Sequence, residues 1–168
     1  MTKVSVRRLV RIALFAAVLC LIAPVRVDIG PVPITLQTLF IALAGAILGC
    51  ADGTICLAIY LLMGLCGLPV FAGWTGGFSA FAGPTGGFLL AFPVLATLEG
   101  TRRLWAGLLG LAIVDVVGAG WFMILSGSSL GQALMIAVVP FLIKDVLSVI
   151  VAHLGAQLIL RRIGASGR

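Results

Sequence analysis

Six long apolar stretches alternate with short polar or helix-breaking segments along the chain. About 20 helical residues cross a bilayer core of about 30 Å, and short helices shielded by neighbours need somewhat fewer. The pattern therefore predicts an all-α integral membrane protein with one domain over residues 1–168. The predicted membrane spans are residues 7–24, 34–51, 54–68, 86–100, 104–125 and 138–160.

Helix-breaking and polar residues separate the predicted spans. An even number of spans places both termini on the same side of the membrane. The breaks fall at Pro24, Pro31 and Pro33, at Asp52-Gly53, from Pro69 to Pro84, at Thr101 to Arg103, and at Ser126 to Ser129.

Composition agrees with a membrane protein, since 62% of the residues are hydrophobic and 10% are charged. Soluble domains average about 25% charged residues. The net charge of +6 could indicate a nucleic-acid partner. However, the basic residues form short clusters beside apolar segments rather than one continuous face, which argues against nucleic acid and favours a role in topology.

The distribution of Lys and Arg predicts that both termini are cytoplasmic. In that orientation only Arg26 is external and Lys144 lies within a span. Residues 25–33, 69–86 and 126–137 then meet on the external face. The predicted cytoplasmic basic residues are Lys3, Arg7, Arg8, Arg11, Arg102, Arg103, Arg161, Arg162 and Arg168.

The segment from Pro69 to Phe88 combines glycines with phenylalanines and a tryptophan. Irregular backbone near a bilayer is tolerated where protein covers it or where it lines a cavity. A flexible external linker is one interpretation, but its aromatic content is unusual for a solvated linker. We therefore expect a compact glycine-rich external loop that caps a ligand pocket.

Ionisable side chains inside membrane spans are costly and are candidates for function. Lys144 and Asp145 are adjacent, roughly 9 to 11 Å below the external start of the sixth span. Neighbouring helical residues point about 100° apart, so each head group is expected to have a further partner. The alternatives are an internal ion pair and contacts to a bound ligand.

Two other ionisable residues, Asp115 and His153, lie at depths that would let them meet if the fifth and sixth spans are neighbours. A structural Asp-His contact is favoured over a proton relay. Glu99 ends the fourth span at the cytoplasmic edge.

Polar residues also open the second span. The hydroxyls of Thr35 and Thr38 can bond back to the preceding turn of helix, so their role is ambiguous. Gln37 offers amide donors and an acceptor to a polar ligand group in an apolar site.

Small residues mark one face of the first span, at Ala13, Ala16 and Ala17. Such spacing lets another helix approach closely and is a candidate for partner docking.

The chain has no nucleotide-binding G-x-x-x-x-G-K-[ST] sequence, no cluster of metal ligands and no catalytic Ser-His-Asp set. We therefore predict neither enzymatic activity, nor a metal, nor a cofactor. The four cysteines form no C-x-x-C pair and are expected to be buried free thiols.

Several motifs together resemble the BioY family of biotin-transport proteins over about residues 9–160. In order, they are VPITLQTLF at 32–40, LAGAILG at 43–49, YLLMGLCGLPVFAG at 60–73, GPTGGF at 83–88 and PFxxxD at 140–145. Members of this family are substrate-binding (S) components of energy-coupling factor (ECF) transporters.

The resemblance implies six transmembrane helices, an external biotin pocket and residence in a prokaryotic cytoplasmic membrane. It also implies assembly with a transmembrane T component and two ABC ATPases, with the small face of the first helix as the docking surface. Alternatives are an S component for another vitamin, a small secondary transporter or channel that works alone, and, least favoured, a membrane enzyme.

One departure from the family pattern concerns the cation. The sequence reads PFLIKDVLS where the family commonly has PFxxGDxxK, so Lys144 replaces a glycine and Ser148 replaces a lysine. A lysine has in effect moved one helical turn toward the external side. A second departure, Phe88 in place of the more usual Tyr, removes a hydroxyl.

With biotin as the implied ligand, its groups can be matched to side chains. Asp145 is expected to accept from a ureido N–H, with Gln37 assisting the ureido group, and Thr35 is a further substrate-binding candidate with no ligand group assigned to it. Lys144 would pair with the carboxylate or the ureido oxygen. The remaining candidates are Phe71, Trp74 and Phe78, which would cover the bicycle, and the backbone around Thr85 and Gly86.

Overall fold

Helices account for nearly all of the regular structure in the computed structural model, which describes residues 5–28 and 32–166. Within these ranges it has eight helices and one pair of two-residue strands. They are α1 Val6–Ile22, β1 Arg26–Val27, β2 Ile34–Thr35, α2 Gln37–Leu48, α3 Cys50–Leu65, α4 Phe78–Ala82, α5 Gly86–Glu99, α6 Leu104–Ser126, α7 Leu130–Ala137 and α8 Val139–Ser166. Lys3, Pro31 and Arg168, used in the sequence predictions, lie outside the described residues.

The six predicted spans correspond to α1, α2, α3, α5, α6 and α8, with shifted boundaries. Two helices are long and apolar enough to cross a membrane by length and composition: Leu104–Ser126, and Val139–Arg162 within α8. The apolar helices α2, α3 and α5 are shorter, with 12, 16 and 14 residues. The sequence did not predict the short helices α4 and α7.

The break between α2 and α3 lies at Gly49, so its prediction at Asp52-Gly53 was wrong. Gly49 has a φ of 87°, a left-handed conformation that glycine adopts at little cost. Asp52 instead lies in the first turn of α3, where Arg8 Nε donates to its Oδ1 at 2.7 Å. A carboxylate is favourable at that end of a helix.

Small residues let α2, α3 and α5 approach closely. A Cβ added at Gly45 in α2 would collide with the backbone of Ala96 in α5, and one at Gly53 in α3 would meet the Gly45 Cα. A contiguous core of apolar side chains from α1, α2, α3, α5, α6 and α8 forms around this contact.

The irregular segment 66–85 is held by backbone hydrogen bonds to its surroundings. Gly73 N donates to Pro24 O at 2.9 Å, and Gly77 N donates to Gly64 O at 2.7 Å. Trp121 Nε1 in α6 donates to Gly83 O at 3.0 Å. The segment is therefore fastened to the end of α1, to α3 and to α6.

We expect Gly64→Ala to destabilise the protein by about 1 to 3 kcal/mol, the usual range for overpacking. The added Cβ would enter the Phe71 ring, which is buried and packs edge-on against Tyr60 and Phe81. Thermal unfolding in detergent would measure the change. The matched control is Gly120→Ala in α6, where an added Cβ meets nothing within 4 Å; equal stability of the two variants would contradict the expectation.

Candidate ligand-binding site

A cavity lies between the first halves of α2, α5 and α8 and the middle of α6, and is covered by residues 71–75. Its volume is about 70 Å³. Polar groups from four segments converge on an otherwise apolar wall, as is typical of small-molecule sites. The lining residues are Val32, Pro33, Thr35, Gln37, Thr38, Phe71, Ala72, Thr75, Thr85, Phe88, Leu89, Phe92, Leu111, Val114, Asp115, Ala137, Phe141, Lys144 and Asp145.

Lys144 and Asp145 both line this cavity. The Lys144 Nζ donates to the Thr35 carbonyl at 2.8 Å and lies 2.5 Å from Asp145 Oδ1. This buried oxygen is therefore in an ion pair with the ammonium group. The pair is thus in direct contact, and the Asp145 carboxylate keeps the capacity to accept a hydrogen bond.

The Ser148 hydroxyl, at the position where a lysine is common, does not line the cavity. It donates back to the Lys144 carbonyl at 2.8 Å within α8. The only cationic side chain on the cavity wall, among the described residues, therefore belongs to Lys144.

Gln37 is buried at the first turn of α2, where its amide Nε2 donates to Tyr60 Oη at 2.9 Å. Tyr60 in turn donates to the Val70 carbonyl at 3.0 Å. This chain fixes the Gln37 amide and links it to the start of the irregular segment. Because the Gln37 side-chain nitrogen donates to Tyr60, the amide oxygen is left to accept from another partner.

Of the three aromatic residues expected to cover the ligand, only Phe71 lines the cavity, and it is 2% exposed. Trp74 and Phe78 are 62% and 75% exposed and point away from it, so the structure contradicts their placement there. Trp74 adopts a φ of 59° next to Gly73, whose φ is 74°. Phe78 begins α4, a helix with no buried residue.

Thr85 lines the cavity, but Gly86 does not. The Gly86 amide donates to the Gly83 carbonyl at 3.0 Å and is used within the turn that starts α5. A Cβ at this position would collide with the Phe81 carbonyl, so the glycine serves close packing of the segment rather than an approach to a ligand.

The sequence analysis did not assign several residues of the cavity wall to the binding site. The cavity is also lined by Phe88 and Phe92 of α5, Asp115 of α6 and Phe141 of α8. Phe88 and Phe92 are one turn apart, and Phe141 lies one turn before Lys144 and Asp145. Helical spacing from the candidates already identified could have found Phe141.

The predicted contact between Asp115 and His153 is wrong. His153 Nδ1 instead lies 2.9 Å from Glu99 Oε1, and both side chains are buried. Glu99 is fully buried, and a Cβ at Gly107 in α6 would collide with its Oε2. The contact joins the last residue of α5 to α8.

On α1, Ala13 and Ala17 are exposed, whereas Ala16 is 2% exposed and packs in the core. The surface available to a partner helix is therefore the Ala13–Ala17 pair, without Ala16. The expectation of buried thiols holds for Cys56 alone; Cys20 and Cys50 are half-buried and Cys66 is exposed.

A bundle of apolar helices with a cavity that offers a carboxylate, an ammonium group and an amide is suited to non-covalent capture of a small molecule. Comparison with known proteins identifies the family. The sequence matches the family model described as "BioY family" over residues 1–165, and the chain belongs to this family.

Relatives and a solved structure agree with that assignment. The chain is 37% identical over 150 residues to the "Probable biotin transporter BioY" of Pyrococcus horikoshii, covering 87% of this chain and 91% of the relative. It is 34% identical over 157 residues to the "Biotin transporter BioY" of Thermotoga maritima, covering 88% and 92%. A crystal structure of the S-component for biotin from an ECF-type ABC transporter superposes with a TM-score of 0.86, at 30% identity and over 93% and 92% of the two chains.

We expect His153→Leu to destabilise the protein by about 3 to 5 kcal/mol, because it leaves the buried Glu99 carboxylate without its partner. Unfolding in detergent would measure this, with Gln157→Leu as the control, since Gln157 is exposed and contacts only the outer nitrogen of His153. Adding Glu99→Gln to His153→Leu should recover part of the loss. A loss below about 1 kcal/mol would contradict a stabilising ion pair.

Proposed function

We propose that the protein captures biotin at the external face of a prokaryotic cytoplasmic membrane, as the substrate-binding S component of an ECF-type ABC importer. The observation that carries this proposal is the buried Asp145 carboxylate, which lines the cavity beside Lys144 and can accept a hydrogen bond from a further donor. A ureido N–H of biotin supplies that donor. The family membership and the structural similarity to a biotin S component support the same ligand.

In the proposed placement the six helices α1, α2, α3, α5, α6 and α8 form one transmembrane domain. Both termini face the cytoplasm, and the cavity opens to the outside. The concentration of Lys and Arg on the side of the two termini supports this orientation. The short helices α2, α3 and α5 have neighbours on several sides, so little of each helix faces lipid and a helix shorter than the bilayer core is tolerated.

Biotin would lie with its ureido group at Asp145 and the Gln37 amide, and with its bicycle against Phe71 and the aromatic residues of α5. The valerate carboxylate would pair with Lys144, whose ammonium group already lies at the cavity wall. Ligand binding then places a second anion beside the Lys144 ammonium group, which already contacts the Asp145 carboxylate and the Thr35 carbonyl.

The cavity volume of about 70 Å³ is below the 300 to 1,000 Å³ of typical small-molecule pockets. Biotin entry therefore requires the covering segment 66–85 to move outward. Such a movement would break a small number of hydrogen bonds to the helices and the packing of Val70, Phe71, Ala80 and Phe81 against the core.

The S component would dock a transmembrane T component through Ala13 and Ala17, and two ABC ATPases would supply the energy. Two exposed alanines one turn apart leave a shallow surface for the close approach of a helix. The family is one of transporter components rather than enzymes.

We expect Asp145→Ala to weaken biotin binding by about 10- to 150-fold, the equivalent of about 1.5 to 3 kcal/mol for a hydrogen bond to a charged group. Equilibrium binding to the purified protein in detergent measures the change. The control is Asp52→Ala, which removes a carboxylate paired with Arg8 at the opposite end of the molecule. An unchanged affinity for Asp145→Ala would remove this residue from the site.

The same binding assay with thiamine and riboflavin tests the choice of vitamin. We expect neither to compete with biotin; binding of either one in place of biotin would assign a different vitamin to the cavity. Uptake into vesicles driven by an ion gradient, without ATPases, would instead establish a secondary transporter.

We expect Ala17→Trp to leave biotin affinity unchanged but to abolish assembly with the T component, because the indole would fill the exposed docking surface. Co-purification of the coexpressed transporter subunits measures assembly. Ala16→Trp should instead impair folding, since Ala16 is buried in the core. Recovery of the intact complex with Ala17→Trp would show that docking occurs elsewhere.

A further inference from the structure

A second concave surface lies at the opposite end of α2 and α8 from the biotin cavity. It is a groove of about 530 Å³ between the start of α1 and the end of α8, with the end of α2 as its floor. Its walls are apolar and comprise Phe15, Ile47, Leu48, Ile159 and Leu160. Its rim carries three arginines of α1, and we refer to it as the arginine groove.

The rim of the arginine groove has an excess of positive charge. Arg8 forms an ion pair with Asp52, which is the one acidic residue among the described residues that line the groove. Arg7 and Arg11 are exposed, and neither forms an ion pair with a residue that the structure describes. Arg161 and Arg162 follow Leu160 directly on α8 and are also exposed.

We infer that the arginine groove binds an anionic phospholipid of the cytoplasmic leaflet. Guanidinium groups bind phosphate through paired, charge-assisted hydrogen bonds, so Arg7 and Arg11 match the headgroup. The apolar wall below them matches an acyl chain. A free phosphate or an acidic soluble peptide would use the rim and leave this wall in water, which favours a molecule that is anionic at one end and apolar at the other.

The groove lies on a different side of α1 from the proposed partner surface. At 100° per residue, the Arg7–Arg11 direction is about 120° around the helix from the Ala13–Ala17 direction. A lipid in the groove therefore leaves Ala13 and Ala17 accessible, and one surface can be altered without the other. The inference uses the membrane orientation proposed above but not the identity of the vitamin.

Native mass spectrometry of the full chain in detergent tests the inference, with phosphatidylglycerol and phosphatidylcholine of identical acyl chains as probes. We expect phosphatidylglycerol to bind more tightly than phosphatidylcholine. Arg11→Gln should weaken phosphatidylglycerol binding about fivefold, and Arg7→Gln combined with Arg11→Gln should weaken it further, since each basic residue near an anionic lipid contributes about 1 kcal/mol. Phosphatidylcholine binding and biotin affinity should stay unchanged.

Arg103→Gln is the matched control, since it removes one exposed arginine at the cytoplasmic end but outside the groove. Equal affinity for the two lipids would overturn the inference. An equal loss with Arg103→Gln would show that overall charge, and not the groove, attracts the lipid. If the Arg7 and Arg11 substitutions abolish assembly with the transporter subunits and spare lipid binding, the groove is a protein-docking surface and the inference is wrong.

Discussion

The need to satisfy backbone polar groups in an apolar environment governs this structure. The segment 66–85 has little regular secondary structure, so its carbonyl and amide groups must find partners outside a helix. Tyr60 and Trp121 donate to the carbonyls of Val70 and Gly83, and the amides of Gly73 and Gly77 donate to the end of α1 and to α3. These contacts hold the segment over the cavity and place Phe71 against it.

Tyr60 connects this constraint to the ligand site. It receives a hydrogen bond from Gln37 and donates one to Val70, so a side chain of the cavity and the covering segment share one buried hydroxyl. Because the site is buried, loss of either hydrogen bond would leave a polar group without a partner. The Tyr60 hydroxyl therefore stabilises both the Gln37 amide and the start of the covering segment.

The sequence predicted the elements that depend on local pattern and missed those that depend on tertiary contacts. Apolar length located the helices α1, α2, α3, α5, α6 and α8, and the polar residues Asp145, Lys144, Gln37 and Thr35 do line one cavity. The sequence could not show which aromatic residues face the cavity. Phe71 lines it, whereas Trp74, in the turn with Gly73, is exposed. His153 was paired with Asp115 because helical depth alone cannot show that the end of α5 brings Glu99 to the same place.

The contact between Glu99 and Gly107 limits how this protein can diverge. The carboxylate occupies the space that any larger residue at position 107 would need. A methyl group at Gly107 would displace this carboxylate and disturb its contact with the imidazole of His153. Three positions on three helices are thereby packed as one unit, so a substitution at any of them changes what the other two contact.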